Sequence, residues 1–123
     1  MAAGTVSGDL ALSVTTSYGS YPFPITYAQS VDEVYPPFTF EVADGATDTS
    51  LLTAAAAALT TVQVLQIVST VAVTLKLGAA GSNVAFALAA KAPLTLMGTS
   101  LTALSISNAS GSTAMVTLMI AGT

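Results

Sequence analysis

The chain has 123 residues and a formal net charge of −4, with two lysines, six acidic residues, no His and no Cys. Its charged share is 7%, where a typical domain carries about 25%. Without Cys there is no disulfide framework or thiolate metal site, without His or Arg there is no catalytic triad or bidentate anion clamp, and two lysines make no basic footprint for nucleic acid.

The first residues, Met-Ala-Ala-Gly-Thr, have neither the positive nor the apolar region of a secretory signal. Leu10, Leu12 and Val14 then alternate with Ala11, Ser13 and Thr15, which predicts a first strand. Residues 18–40 differ in kind, since they hold Tyr18, Tyr21, Phe23, Tyr27, Tyr35, Phe38 and Phe40 together with Pro22, Pro24, Pro36 and Pro37. Proline disfavours both helix and central strand, so this segment is expected as an extended loop or arm. Two roles suit its aromatics: closing one end of the core, or anchoring a contact between subunits, where Tyr and Phe are over-represented. The interface candidates are Tyr18, Tyr21, Phe23, Tyr27, Tyr35 and Phe38.

Within that segment, residues 38–42 alternate as a short strand with Phe38, Phe40 and Val42 inward, and Asp44-Gly45 signals a turn. Asp48-Thr49-Ser50 can cap a short helix over residues 51–59, where alanine favours helix; a small-residue strand or loop is the competing reading. The stretch around which the chain is organised is 62–77, VQVLQIVSTVAVTLKL. From Leu65 its odd positions carry the aliphatics and its even positions the small or polar residues, the period of a half-buried strand. A single strand of that length is unusual, so a bend, bulge or turn is expected near Ser69-Thr70.

Residues 78–83 form a loop, followed by a strand over 84–88 with Val84, Phe86 and Leu88 on one face. Turns at 91–93 and 98–100 bracket a strand at 94–97, Leu104 and Ile106 mark another, and Asn108 to Ser112 loops into a final strand with Val116, Leu118 and Ile120 on one face. The sequon Asn108-Ala109-Ser110 reads as part of that turn. Short strands with turn signals every few residues predict an all-β fold, an antiparallel, jelly-roll-like β-sandwich of about seven or eight strands. The N-terminal strand and acidic, aromatic and Pro-rich arm would occupy 1–48, and the sandwich core 49–123, within one domain.

The charges are segregated, with all six acids before residue 49 and both Lys76 and Lys91 after it. No charge occurs between 49 and 75, long enough to span a bilayer, but Gln63, Gln66 and the hydroxyl residues, the strand period and the lack of basic flanks argue against a membrane helix. Few groups remain for chemistry. Asp32 and Glu33 are adjacent, Glu41, Asp44 and Asp48 match no calcium-loop spacing, and Lys76 lies on the polar face of its strand, where solvent or a subunit salt bridge would take it. No catalytic residue, cofactor or metal is expected. By the usual scaling a chain of 12.2 kDa exposes about 6,000 Å² when folded. With so few charges that surface is mostly Ala, Ser, Thr, Gly and aliphatics, the kind normally covered by a partner.

The strands at 71–75 and 104–111 and the C-terminal run 114–123, hydroxyl-and-aliphatic in texture and joined by an Asn/Ser/Gly turn, resemble small virion proteins of tailed bacteriophages. These are often β-sandwich capsid decoration, or cement, proteins. The resemblance covers residues 62–123 and implies a homo-oligomer, a trimer above all, that sits on the major capsid protein at the capsid exterior and reinforces the head. The segment 18–40 departs from the compact pattern as an arm reaching a neighbour would. The alternatives are a tail fibre or knob module that binds a host receptor or glycan, and a small membrane-associated protein.

Overall fold

From Leu65 to Leu77 the odd-numbered side chains face the core along the whole stretch. Leu65, Ile67, Ser69, Val73 and Leu75 are buried, and Val71 and Leu77 partly so. The ribbon is nevertheless two strands, because its ladder breaks at residues 70–72, where the bend was expected. Ser69 Oγ accepts from the Val71 N–H at 3.4 Å, and the Thr70 N–H donates to the Met115 carbonyl at 3.0 Å. The bend carries the chain from one sheet into the facing one while the same face stays inward, which is how a strand turns a sandwich corner.

The computed structural model describes residues 3–55, 57–79 and 81–123, and only the backbone at 10–14, 21 and 23. In chain order the strands are β1 (Gly4–Thr16), β2 (Gly19–Val31), β3 (Glu33–Val42) and β4 (Thr49–Ser50), then the helix α1 (Leu51–Ala54). There follow β5 (Val62–Ser69), β6 (Val73–Leu77), β7 (Val84–Leu88), β8 (Leu94–Leu101), β9 (Leu104–Ser107) and β10 (Ala114–Gly122).

Strand pairing explains the architecture. β3 pairs with β10, β4 with β9, β5 with β8 and β6 with β7, each antiparallel. These four pairs are one long two-stranded ribbon doubled back at the loop between β6 and β7. Rolling the ribbon brings β10 beside β5 and β9 beside β6. Two four-stranded sheets result, β3-β10-β5-β8 and β4-β9-β6-β7. Eight strands in this order make a jelly roll. The all-β, jelly-roll-like sandwich expected from the sequence is therefore the fold.

Between the sheets lie Val42, Val62, Leu65, Ile67, Val116, Leu118 and Ile120 from the first and Val73, Leu75, Leu88, Leu104 and Ile106 from the second. Leu51 and Leu59 close one end. Burying each such side chain contributes about 1.5–3 kcal/mol, which offsets the entropy of ordering the strands.

Several expectations are corrected. Residues 18–40 are not a loop, because β2 and β3 run through them. The prolines are tolerated because they stand where no ladder bond is lost: Pro36 and Pro37 together oppose Met119 at a bulge on the edge strand β3. The sandwich begins at Glu33, with β3 a full member of the first sheet, rather than at Thr49. α1 is shorter than the predicted helix; Ser50 Oγ caps it by accepting from the Thr53 N–H at 3.2 Å. Gly98 makes no turn. It sits within β8 at φ 69°, where the register against β5 shifts. Val84, Phe86 and Leu88 share a face as expected, opposite Leu77, Leu75 and Val73, but on this edge strand only Leu88 is buried, while Val84 is 66% and Phe86 42% exposed.

Two substitutions test this packing. Leu118 is fully buried, so Leu118→Ala should cost about 2–5 kcal/mol of unfolding free energy in urea titration, a large part of a typical total of about 5–15 kcal/mol. Gly122 passes so close to Thr61 that an added Cβ would overlap the Thr61 carbonyl. Gly122→Ala should therefore destabilise by about 1–3 kcal/mol, read as a lower urea midpoint, although it adds a single methyl.

Candidate interaction surface

β1 and β2 form a two-stranded hairpin of 13 residues a side that joins neither sheet. At about 3.4 Å per residue it is about 44 Å long, longer than any strand of the sandwich. The exposed surface of the chain, 6864 Å², exceeds the scaling value of about 6,000 Å² as such a projection requires.

Its base is moored to the outer face of the first sheet. Val31, Val64 and Ala121 are buried there in a second, smaller cluster, with Val6, Val34, Met97 and Met119 packed around them. The Asp32 N–H donates to the Gly122 carbonyl at 3.0 Å, and Gln29 Oε1 accepts from the Gly98 N–H at 2.9 Å. Beyond the base the hairpin stands over a cleft of about 500 Å³, lined by Asp9, Ile25 and Tyr27 on its side, by Gln66, Thr95 and Met97 of the sheet and by Pro93 just before β8. The cleft lining is apolar apart from one carboxylate, one phenol, one amide and one hydroxyl. Asp9 is the one carboxylate of the lining, and no lysine lies in it.

The aromatic residues singled out in the sequence are dispersed by this architecture. Tyr18 stands at the hairpin tip, 92% exposed. Tyr27 is half-buried, and its ring covers Gly8: the phenolic oxygen lies 2.6 Å from where a Cβ at Gly8 would stand. Tyr35 packs against the main core; its hydroxyl donates to Glu33 Oε2 at 3.0 Å and accepts from the Ala58 N–H at 3.0 Å. Phe38 packs there too, stacked on Phe40 with ring centroids 5.5 Å apart. Tyr21 and Phe23 fall on the β2 backbone, and their side chains lie outside the described residues.

Lys76 pairs with Asp48 of the same chain, and Asp44 Oδ1 accepts from the Gly111 N–H at 2.9 Å. Among the described residues no three acidic groups gather as a metal site would require, and no helix is long and apolar enough to cross a membrane.

One residue was legible only as a turn and proves central to it. Asn108 is 1% exposed; its Nδ2 donates to the carbonyls of Val42 at 3.0 Å and Ser112 at 2.7 Å, and its Oδ1 accepts from the Ser110 N–H at 3.1 Å. Its backbone N–H and carbonyl bond Ala46 and Gly45. The amide that a sequon would offer for glycosylation is thus buried and fully employed in tying the last loop to the end of β3.

Comparison with known protein families, with characterised proteins and with solved structures finds no match for this chain.

Removing the Asn108 amide leaves the Val42 and Ser112 carbonyls without that donor. Asn108→Ala should lower stability by about 2–4 kcal/mol in chemical denaturation, while Ser110→Ala, at an exposed position of the same sequon, should cost less than about 1 kcal/mol.

Proposed function

We propose that the chain is a structural virion protein, a capsid decoration or cement protein that stabilises a phage head by binding the major capsid protein and its own copies. The observation that carries this reading is a jelly roll with an almost uncharged outside. Asp9 is the one charge among the described half-buried and exposed positions of β8, β7 and the hairpin, which are otherwise Gly, Ala, Ser, Thr, Pro, Gln, Tyr, Phe, Met and aliphatics; outside the Lys76–Asp48 pair the sandwich adds Lys91, Glu33, Glu41 and Asp44. A fold with this surface works by covering and being covered rather than by turnover. The jelly roll is also a frequent architecture of capsid and carbohydrate-binding domains, which supports the reading by analogy of fold only.

Tyr18, exposed at the tip of a projecting hairpin, favours a second reading, a tail fibre or knob module that contacts a host receptor or glycan.

Co-sedimentation with purified particles separates the two. A decoration protein should pellet with heads stripped of it, saturate at a fixed copy number per head and raise the temperature at which heads release DNA. Failure to bind heads, together with specific hits on a glycan array lost in Tyr18→Ala, would overturn the decoration reading in favour of the knob.

A further inference from the structure

An open sheet edge offers unpaired backbone donors and acceptors, and proteins normally close such edges with proline, bulges, charge or brevity. The sandwich has four. β3 is closed by Pro36 and Pro37, both exposed. β8 carries the Gly98 irregularity, and the Gly98 N–H is already held by Gln29. β4 has only two residues. β7 has no such device: Val84-Ala85-Phe86-Ala87-Leu88 contains no proline, charge or bulge, and its first four residues are exposed.

The hairpin has two outer edges of its own. Thr16 and Gly19 close its two-residue turn as the first pair of the ladder. From that pair onward the odd residues of β2 turn N–H and carbonyl toward β1, and the even residues turn theirs outward. Pro22 and Pro24 are both even, so the hairpin ladder keeps its bonds and the missing donors lie on the outer edge of β2. That edge is closed. The outer edge of β1, presented by the odd residues from Thr5 to Thr15, has no proline and one charge, Asp9.

One open edge on the arm and one on the sandwich are left, and they cannot meet within a chain. The hairpin is moored on the outer face of the first sheet, whereas β7 borders the second, across the core. We infer that β1 of one copy adds to the β7 edge of a second copy, extending its β4-β9-β6-β7 sheet by the whole hairpin. The charges agree: the arm's one acid, Asp9, would arrive beside a strand followed three residues later by Lys91, the cation outside the Lys76–Asp48 pair. A free two-stranded hairpin is marginal in water, so the same contact gives this one the third strand it lacks. The interface is head-to-tail, which lets copies close into a ring if the rotation per copy allows. This deepens the assembly reading above and rests on it only in requiring a second copy.

Ser7→Pro removes an outward donor from β1 without touching the hairpin ladder, and Val84→Lys places a charge on the exposed β7 edge. Each should weaken self-association about tenfold or more in sedimentation equilibrium, with unchanged far-UV circular dichroism and urea midpoint. Mixed one to one, the two should form a heterodimer, because Ser7→Pro keeps a sound β7 and Val84→Lys keeps a sound β1. A monomeric wild-type chain, self-association of Ser7→Pro equal to wild type, or no recovery on mixing would each overturn the pairing. Head binding by the same variants is scored separately: a monomeric variant that still saturates heads leaves the decoration reading intact, and an oligomer that ignores heads refutes that reading alone.

Discussion

The structure depends on one continuous inward face, aliphatic except for Ser69, that runs through β5, around the bend at residues 70–72 and along β6. Leu65 and Ile67 lie in the first sheet and Val73 and Leu75 in the second, yet all four point into the same core. That continuity is possible because the bend is held by polar groups rather than by a change of side-chain phase. Ser69 and Thr70 supply hydroxyls to neighbouring backbone N–H groups, and the Ser69 carbonyl accepts from Lys91. Every other pairing in the roll follows from where these two strands stand, since β10 and β8 flank β5 while β9 and β7 flank β6.

A shortage of charge sets the second theme. With 7% charged residues the chain cannot protect its edges and faces by ionic side chains, the commonest device. It uses proline, glycine and short strands instead. Prolines that looked like loop markers in the sequence are edge markers in the fold, placed at the outer rim of β2 and at the bulge of β3 opposite Met119. The polar groups that do lie inside are bonded with care. Asn108 satisfies carbonyls from two segments, and Tyr35 links Glu33 to the chain near Ala58. Among the described residues Gln63 is the exception, with its Oε1 buried and unpartnered next to the irregular pairing of β5 and β8, and we have no physical account of it.

The hairpin changes how the aromatic segment is understood. Its five described rings do not form one patch. Tyr35, Phe38 and Phe40 complete the sandwich core, Tyr27 lies over Gly8 beside the cleft, and Tyr18 is alone at the tip. Among the described rings, contacts with the main core lie on the β3 side of Asp32, while Tyr27 and Tyr18 on the β2 side lie outside it.

The all-β class, most strand positions and the core list were legible in the amino-acid order itself, because a period of two is a local property: Leu65, Ile67, Val116, Leu118 and Ile120 declare their shared face without reference to any partner. The N-cap at Ser50 and the turn at Asp44-Gly45 were readable for the same reason. Which strand lies beside which was not, since β3 meets β10 across more than seventy residues and no local signal records that distance. Nor could the sequence separate a proline in a loop from a proline on a rim, or an asparagine in a turn from one that holds the turn together. Those distinctions depend on which side of a residue its neighbour stands, and only the packed chain supplies the neighbour.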